Sequence, residues 1–231
     1  MSTISCSILQ RLAALTLAGC VALAGASAWA MDIATVRGPD GKRIVLAQGS
    51  IRAGDTERLQ AALTRADKGV DGLRTVALDS PGGVVDEAFT MAALMDREKV
   101  AVVVRAGASC ASACAQIVFL AGVQRVVQDG GRLGFHSCSL AGAGTRAPIC
   151  NEMIARQAAI RGASYGTIMA LMQLTGPTQM RWLDAQAADC WGLTIWPEGS
   201  ARGTKRGDLP PCMLHGPGPK TAAKVNVASV R

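Results

Sequence analysis

The chain has 231 residues, of which 49% are apolar and only 3% aromatic, and it carries a formal net charge of +7. This length fits one domain with a sizeable core, and no apolar run of 18 or more residues, as a membrane span requires, follows the N-terminal segment. Residues 31–198 carry a net charge of only +1, against +5 on residues 199–231, which argues against a nucleic-acid-binding surface on the body of the chain.

The first thirty residues have the pattern of an export signal. Arg11 precedes an apolar stretch at 12–24, and the small residues on either side of Trp29 match a signal peptidase cleavage site. Alternatively, Cys20 follows Leu-Ala-Gly as in the lipobox of bacterial lipoproteins, where the cysteine is lipidated and anchors the protein to a membrane. Because the residues after Cys20 remain apolar, we favour cleavage after Ala30 and predict an exported, periplasmic protein.

Apolar periodicity predicts alternating strands and helices between residues 31 and 198, the expected domain. Strands are expected at 33–37, 43–48, 74–79, 100–105 and 133–136, and helices at 56–66, 84–97, 112–121, 151–161, 165–174 and 184–191. This alternation is typical of an α/β layer fold with right-handed crossovers. From residue 199 the chain becomes rich in Gly, Pro and Lys, which predicts a basic disordered tail over 199–231.

Three short segments carry residues suited to chemistry. The predicted strand 74–79 leads into Ser80-Pro81-Gly82-Gly83, where two glycines permit a sharp turn with exposed backbone N–H groups. Ser112 stands between small residues at the start of a predicted helix, and His136 ends a predicted strand. Taken alone, these features also fit a tight turn, a helix N-cap and a core histidine.

Together the three segments resemble the ClpP serine peptidases of the ClpP/crotonase superfamily. Gly83 precedes Ser112 by 29 positions and Ser112 precedes His136 by 24, close to the spacing in that family. Residues 184–193 also resemble the segment that closes the ClpP core, so the resemblance covers about residues 45–197. It implies a ClpP/crotonase-like spiral of β-β-α units with a mostly parallel sheet flanked by helices.

The resemblance also assigns roles to individual residues. It implies that Ser112 is the nucleophile, that His136 is its general base, and that the backbone N–H groups of Gly83 and Ala113 form an oxyanion hole. The residue types agree, because a serine hydroxyl needs a base to remove its proton. The other histidine of the chain, His215, lies in the predicted tail.

The chain departs from the ClpP pattern at the third member of the triad. Met180 stands where the family has an aspartate. Asp184 and Asp189 follow closely in sequence, and they are our candidates for an acid that reaches His136 through a shifted loop. A Ser–His dyad is the alternative, as is an acid recruited from elsewhere.

Six cysteines remain after the predicted signal, and an even number in an exported chain indicates disulfides. The candidates in the predicted domain are Cys110, Cys114, Cys138, Cys150 and Cys190, and the sixth cysteine is Cys212 in the tail. We take Cys138 with Cys150 as the candidate for a local closure. No Cys-x-x-Cys pair is present and the two histidines are 79 positions apart, so neither a metal site nor a cofactor is expected.

These observations favour an exported serine hydrolase, an ATP-independent peptidase that acts on peptide or protein substrates. The alternative is a catalytically weak or inactive ClpP-fold binding or scaffold protein of the periplasm. An acyl-CoA enzyme is disfavoured because CoA substrates are cytoplasmic, and a Ser–Lys enzyme because no lysine of residues 31–198 stands where that class needs one. ClpP relatives form rings, so the resemblance also admits a homo-oligomer. Membrane contact is expected only if Cys20 is lipidated.

Overall fold

The fold is known from a computed structural model, in which residues 30–139 and 144–200 are described. The predicted signal, with Cys20, lies outside the described residues except for Ala30. The predicted tail lies outside them after residue 200. Among the described residues, no helix has the length and apolar character needed to cross a bilayer.

Strands and helices alternate along the described part of the chain. The strands are β1 (Asp32–Arg37), β2 (Arg43–Gln48), β3 (Arg74–Asp79), β4 (Val100–Val104), β5 (Ser109–Ala111), β6 (Gln124–Val127), β7 (Arg132–Phe135) and β8 (Arg181–Asp184). The α-helices are α1 (Asp55–Arg65), α2 (Val85–Glu98), α3 (Pro148–Ile160), α4 (Tyr165–Gln173) and α5 (Ala185–Cys190). Between β5 and β6 the chain forms a π-helix (Cys114–Val118) and then a 3-10 helix (Phe119–Ala121).

The strands form two mixed sheets. The larger has the order β1-β2-β3-β4-β6, with β1 antiparallel to β2 and the other neighbours parallel. The smaller has the order β5-β7-β8, with β5 parallel and β8 antiparallel to β7. The predicted α/β class is confirmed, but the larger sheet is mixed. Its antiparallel pair arises because a short turn, in which Gly38 N–H donates to the Lys42 carbonyl (2.7 Å), joins β1 directly to β2.

The core lies between the sheets and the helices that flank them. Buried residues of α1 and α2 recur at intervals of three and four, so each helix turns one apolar face inward; they include Leu59, Ala62, Leu63, Ala88, Met91, Ala92 and Met95. These side chains belong to one apolar cluster with Val76 of β3 and Val102 of β4. The same cluster contains every residue of the π-helix except Gln116.

The two sheets meet where β3 ends. Ser80 forms an isolated parallel bridge with Cys110 of β5. In this bridge Ser80 N–H donates to the Ser109 carbonyl (2.7 Å), and Ala111 N–H donates to the Ser80 carbonyl (2.9 Å). The junction therefore brings the glycine turn at 81–83 against the turn that follows β5.

The structure differs from the predicted elements after residue 108. The predicted α-helix 112–121 is a π-helix and a 3-10 helix, since an apolar run has the same appearance in any tightly wound helix. Strands β5, β6 and β8 have no predicted counterpart, because three or four residues are too few for a clear alternation. The predicted helix 184–191 begins one residue later, because Asp184 ends β8 and caps α5.

Gly83 lies where the chain crosses another segment very closely. Its φ is 152°, and a Cβ there would collide with the backbone of Ile51, whose N–H donates to the Gly82 carbonyl (2.8 Å). We expect Gly83→Ala to lower the free energy of unfolding by about 3 kcal/mol, as overpacked substitutions do. Urea denaturation of the purified protein measures the change.

Gly72→Ala is the matched control for this prediction. Gly72 also has a positive φ (78°), but nothing lies within 4 Å of the position of its Cβ. We expect this substitution to cost about 1 kcal/mol, from the left-handed backbone alone. Equal losses at the two positions would contradict the close crossing at Gly83.

Candidate active site

Ser112 occupies the apex of a tight turn between β5 and the π-helix. Its φ is 54°, in the left-handed region that a non-glycine residue enters at a cost of about 1–2 kcal/mol. Two hydrogen bonds hold this conformation: Ser112 N–H donates to the Gly134 carbonyl, and Gln116 N–H donates to the Ser112 carbonyl, both at 2.9 Å. A strained strand-to-helix turn of this kind exposes the nucleophile in many hydrolases.

A disulfide closes the Ser112 turn. It joins Cys110, two residues before the serine, to Cys114, two residues after it, with a Cα–Cα distance of 5.3 Å. Both cysteines are fully buried. The bond thus ties the end of β5 to the start of the π-helix. A second disulfide joins Cys138 to Cys150, as predicted, and Cys190 is also disulfide-bonded.

His136 follows β7 and reaches the serine. Its Nε2 lies 2.7 Å from Ser112 Oγ, so the structure brings together the predicted nucleophile and base. The ring is half-buried, and burial lowers the pKa of His136 below its usual 6.5, an effect that the nearby backbone of Ser137 and Pro177 offsets only in part. The imidazole is therefore neutral at pH 7, the form in which Nε2 can accept the hydroxyl proton.

The other ring nitrogen of His136, Nδ1, lacks the acid partner for which Asp184 and Asp189 were the candidates. Nδ1 is buried and has no hydrogen-bond partner among the described residues. Neither candidate acid serves it, because both carboxylates are engaged near their own helix. Asp184 Oδ1 accepts the Ala187 N–H (2.8 Å) as the N-cap of α5. Asp189 Oδ1 accepts the Thr194 hydroxyl (2.6 Å) and the Trp196 indole N–H (2.8 Å).

Met180 lies on the same side of the smaller sheet as the site. A Cβ added to Gly134 would stand 2.8 Å from Met180 Sδ, which places the thioether beside β7 just before His136. A thioether sulfur is at most a weak hydrogen-bond acceptor. Met180 therefore provides apolar packing and no counter-charge.

The glycine turn supplies the remaining part of the site. A Cβ at Gly82 would stand 2.7 Å from Ser112 Cβ and 2.9 Å from Ala113 N, so this turn lies directly against the serine turn. Gly82 N–H donates to Ser80 Oγ (3.1 Å). By contrast, within the described part of the chain the N–H groups of Gly83 and Ala113 donate to no acceptor. These are the two N–H groups that the resemblance assigned to an oxyanion hole.

Two polar residues that no sequence motif indicates hold His136 in place. Gln116 Nε2 donates to the His136 carbonyl (2.6 Å). Ser137 Oγ lies 2.5 Å from the Met172 carbonyl and 2.9 Å from the Thr175 carbonyl, which share its one hydrogen, and Ser137 is fully buried. The only signal for Gln116 is its position, a single amide in the apolar run 113–121 and four residues after the serine.

No protein-family model matches the chain, and no curated protein matches it. Within residues 30–139 and 144–200, no group of three or more His, Cys, Asp or Glu side chains is arranged to hold a metal ion. The case for a function therefore depends on the geometry around Ser112.

The disulfide around Ser112 should affect reactivity more than stability. The entropy of loop closure predicts that loss of the Cys110–Cys114 bond, which closes a short loop, lowers the free energy of unfolding by about 2 kcal/mol. Loss of the Cys138–Cys150 bond, which closes a longer loop, lowers it by about 3 kcal/mol. We expect C110A/C114A to react with a fluorophosphonate at Ser112 at least about tenfold more slowly, because the turn opens and the serine leaves His136. Urea denaturation and the rate of labelling measure the two quantities.

The variant C138A/C150A is the control for this prediction. We expect it to lose more stability but less reactivity, since β7 and the Ser137 contacts still hold His136. If the labelling rate instead follows the loss of stability in both variants, the Cys110–Cys114 bond has no particular role at the nucleophile.

Proposed function

We propose that this protein is an exported serine hydrolase of the ClpP-like type, acting without ATP on peptides or unfolded protein chains. The observation that carries the proposal is the contact of 2.7 Å between Ser112 Oγ and His136 Nε2, made by a serine in a strained left-handed turn. A core histidine or a helix N-cap does not account for both features. A serine N-cap has extended rather than left-handed backbone.

The reaction proceeds through an acyl-enzyme. Ser112 Oγ attacks the carbonyl carbon of a peptide or ester while Nε2 of His136 takes the hydroxyl proton. The oxyanion of the tetrahedral intermediate is bound by the N–H groups of Gly83 and Ala113, each of which contributes about 3–4 kcal/mol. His136 then transfers its proton to the leaving amine or alcohol, and the C–N or C–O bond breaks. Water, deprotonated by His136, hydrolyses the acyl-serine and restores Ser112.

The ClpP/crotonase spiral is part of the same proposal. It is supported by the order of the parts, which is β3, the glycine turn and α2, then β5 and Ser112, then β7 and His136. Three of the four strand pairings in the larger sheet are parallel, which is compatible with a mostly parallel core. A homo-oligomer, as in ClpP rings, remains part of this proposal.

A periplasmic location is proposed for a related reason. Disulfides persist in oxidising compartments, and five cysteines of the described residues are disulfide-bonded. No ATP pool is expected in that compartment, so an ATP-driven unfoldase is not a partner. The substrates are then peptides or chains that are already loose.

A second candidate function has one specific observation in its favour. Nδ1 of His136 has no partner among the described residues, and Met180 provides no acid in its place. A base without support at Nδ1 is weaker, because the imidazolium that forms during the reaction is not stabilised. This favours a catalytically weak or inactive binding or scaffold protein on the same fold.

Fluorophosphonate labelling distinguishes the two functions. We expect the mature protein to be labelled at Ser112, and labelling to disappear in Ser112→Ala and to fall by at least about a hundredfold in His136→Ala, the range for loss of a general base. Because only neutral His136 accepts the proton and burial lowers its pKa below 6.5, the rate should be constant above pH 7. It should fall as the pH drops through that lowered pKa.

Peptide mapping of the labelled protein by mass spectrometry identifies the modified residue. Folded wild-type protein that takes up no label between pH 7 and 8 would sink the hydrolase and leave the scaffold. Labelling that persists unchanged in His136→Ala would show that the serine reacts without this base.

A further inference from the structure

Gln116 links the nucleophile to the base through two hydrogen bonds. Its backbone N–H donates to the Ser112 carbonyl (2.9 Å), and its side-chain Nε2 donates to the His136 carbonyl (2.6 Å). The second bond also settles the orientation of the amide, because only the NH2 group donates to a carbonyl. One residue therefore holds the main chain on both sides of the contact between Ser112 and His136.

The surroundings of Gln116 are otherwise apolar. The residue is 3% exposed and stands at the middle of the π-helix, whose other four residues belong to the apolar core. A buried amide destabilises a protein unless it is hydrogen-bonded, whereas an apolar side chain meets no such requirement. π-Helical turns are also frequent at functional sites. Both facts point to the bond with His136 as the role of this amide.

The imidazole of His136 lacks the support that a catalytic histidine receives at Nδ1, because that atom is buried without a hydrogen-bond partner among the described residues. No carboxylate of residues 30–139 and 144–200 bonds to the ring at this nitrogen. The ring is then positioned by the neighbouring backbone of Ser137 and Pro177 and by the main chain of His136 itself. Gln116 holds that main chain at the His136 carbonyl, and Ser137 anchors the next residue.

We propose that Gln116 is the positioning residue of the site, holding His136 at hydrogen-bond distance from Ser112 in the absence of an acid. This inference rests on the proposed function, because it concerns the same base. A displacement of about 1 Å in a reacting group is enough to lower a rate by about a hundredfold. The bond from Gln116 therefore acts on kcat, whereas substrate binding does not involve it.

The first test replaces Gln116 by methionine, a side chain of similar length without an N–H donor. We expect kcat for hydrolysis of a p-nitrophenyl ester to fall by at least about tenfold, with KM within about twofold of the wild-type value. Asn151→Leu is the matched control. Asn151 is also a buried amide, and its Oδ1 accepts the Cys138 N–H (2.8 Å), so this variant loses one buried hydrogen bond close to the site. We expect its kcat to change by less than about threefold.

The second test replaces Gln116 by glutamate and asks whether the activity requires a hydrogen-bond donor to the His136 carbonyl. A carboxyl group donates to the His136 carbonyl only while protonated, whereas the reaction requires a neutral imidazole. We expect kcat of Gln116→Glu to rise and then fall with increasing pH, where the wild-type protein shows only the rise. Because ionisation of a carboxyl group at this buried position also destabilises the fold, urea denaturation at each pH is the control. The falling limb counts only over the pH range in which Gln116→Glu stays folded.

The outcomes separate this inference from the proposed function. If the wild-type protein turns over the ester through Ser112 while Gln116→Met keeps kcat within about twofold, Gln116 has no positioning role and the hydrolase stands. The same conclusion follows if Gln116→Glu retains the full wild-type rate across the pH range. If the wild-type protein shows no turnover that depends on Ser112, the hydrolase itself is overturned.

Discussion

The left-handed turn at Ser112 is the constraint on which the rest of the site depends. A serine with φ near 54° is held there by the Gly134 carbonyl on one side and by the Cys110–Cys114 bond across the turn. This conformation presents Oγ to His136 and leaves the N–H of the next residue, Ala113, without an acceptor among the described residues. The contact between Oγ and Nε2 and the orientation of the Ala113 N–H thus both follow from one backbone torsion.

The two sheets explain why this turn lies where it does. The bridge between Ser80 and Cys110 joins the end of β3 to β5, and the pairing of Ala111 with Gly134 joins β5 to β7. Three chain segments far apart in sequence therefore end at the same place. The turn requires glycine at this point, because a side chain on Gly83 would collide with the backbone of Ile51. Main-chain contacts thus bring the three segments together, and the Gln116 amide and the Cys110–Cys114 bond then hold the site.

The parts of the site that short motifs encode were predictable from the sequence, whereas contacts between residues distant in sequence were not. The Ser112–His136 pair and the glycine turn were predictable, because turn glycines and a serine among small residues appear locally and their spacing matches a family pattern. Asp184 and Asp189 were candidates because they lie close to Met180 in sequence, which does not reveal that each carboxylate is bonded near its own helix. Gln116 was missed because its partner, His136, lies 20 residues away in sequence, just after β7. The π-helix was missed because apolar periodicity does not separate it from an α-helix.

Whether Ser112 is an activated nucleophile is measured most directly by acyl-enzyme formation. Rapid mixing of the mature protein with p-nitrophenyl acetate at pH 7.5, followed by acid quenching and mass spectrometry, records both the released nitrophenol and the acetylated residue. We expect a burst of about one equivalent of nitrophenol followed by slower turnover, with the acetyl group on Ser112. Release without a burst, at a rate no greater than that of Ser112→Ala, would contradict the central claim.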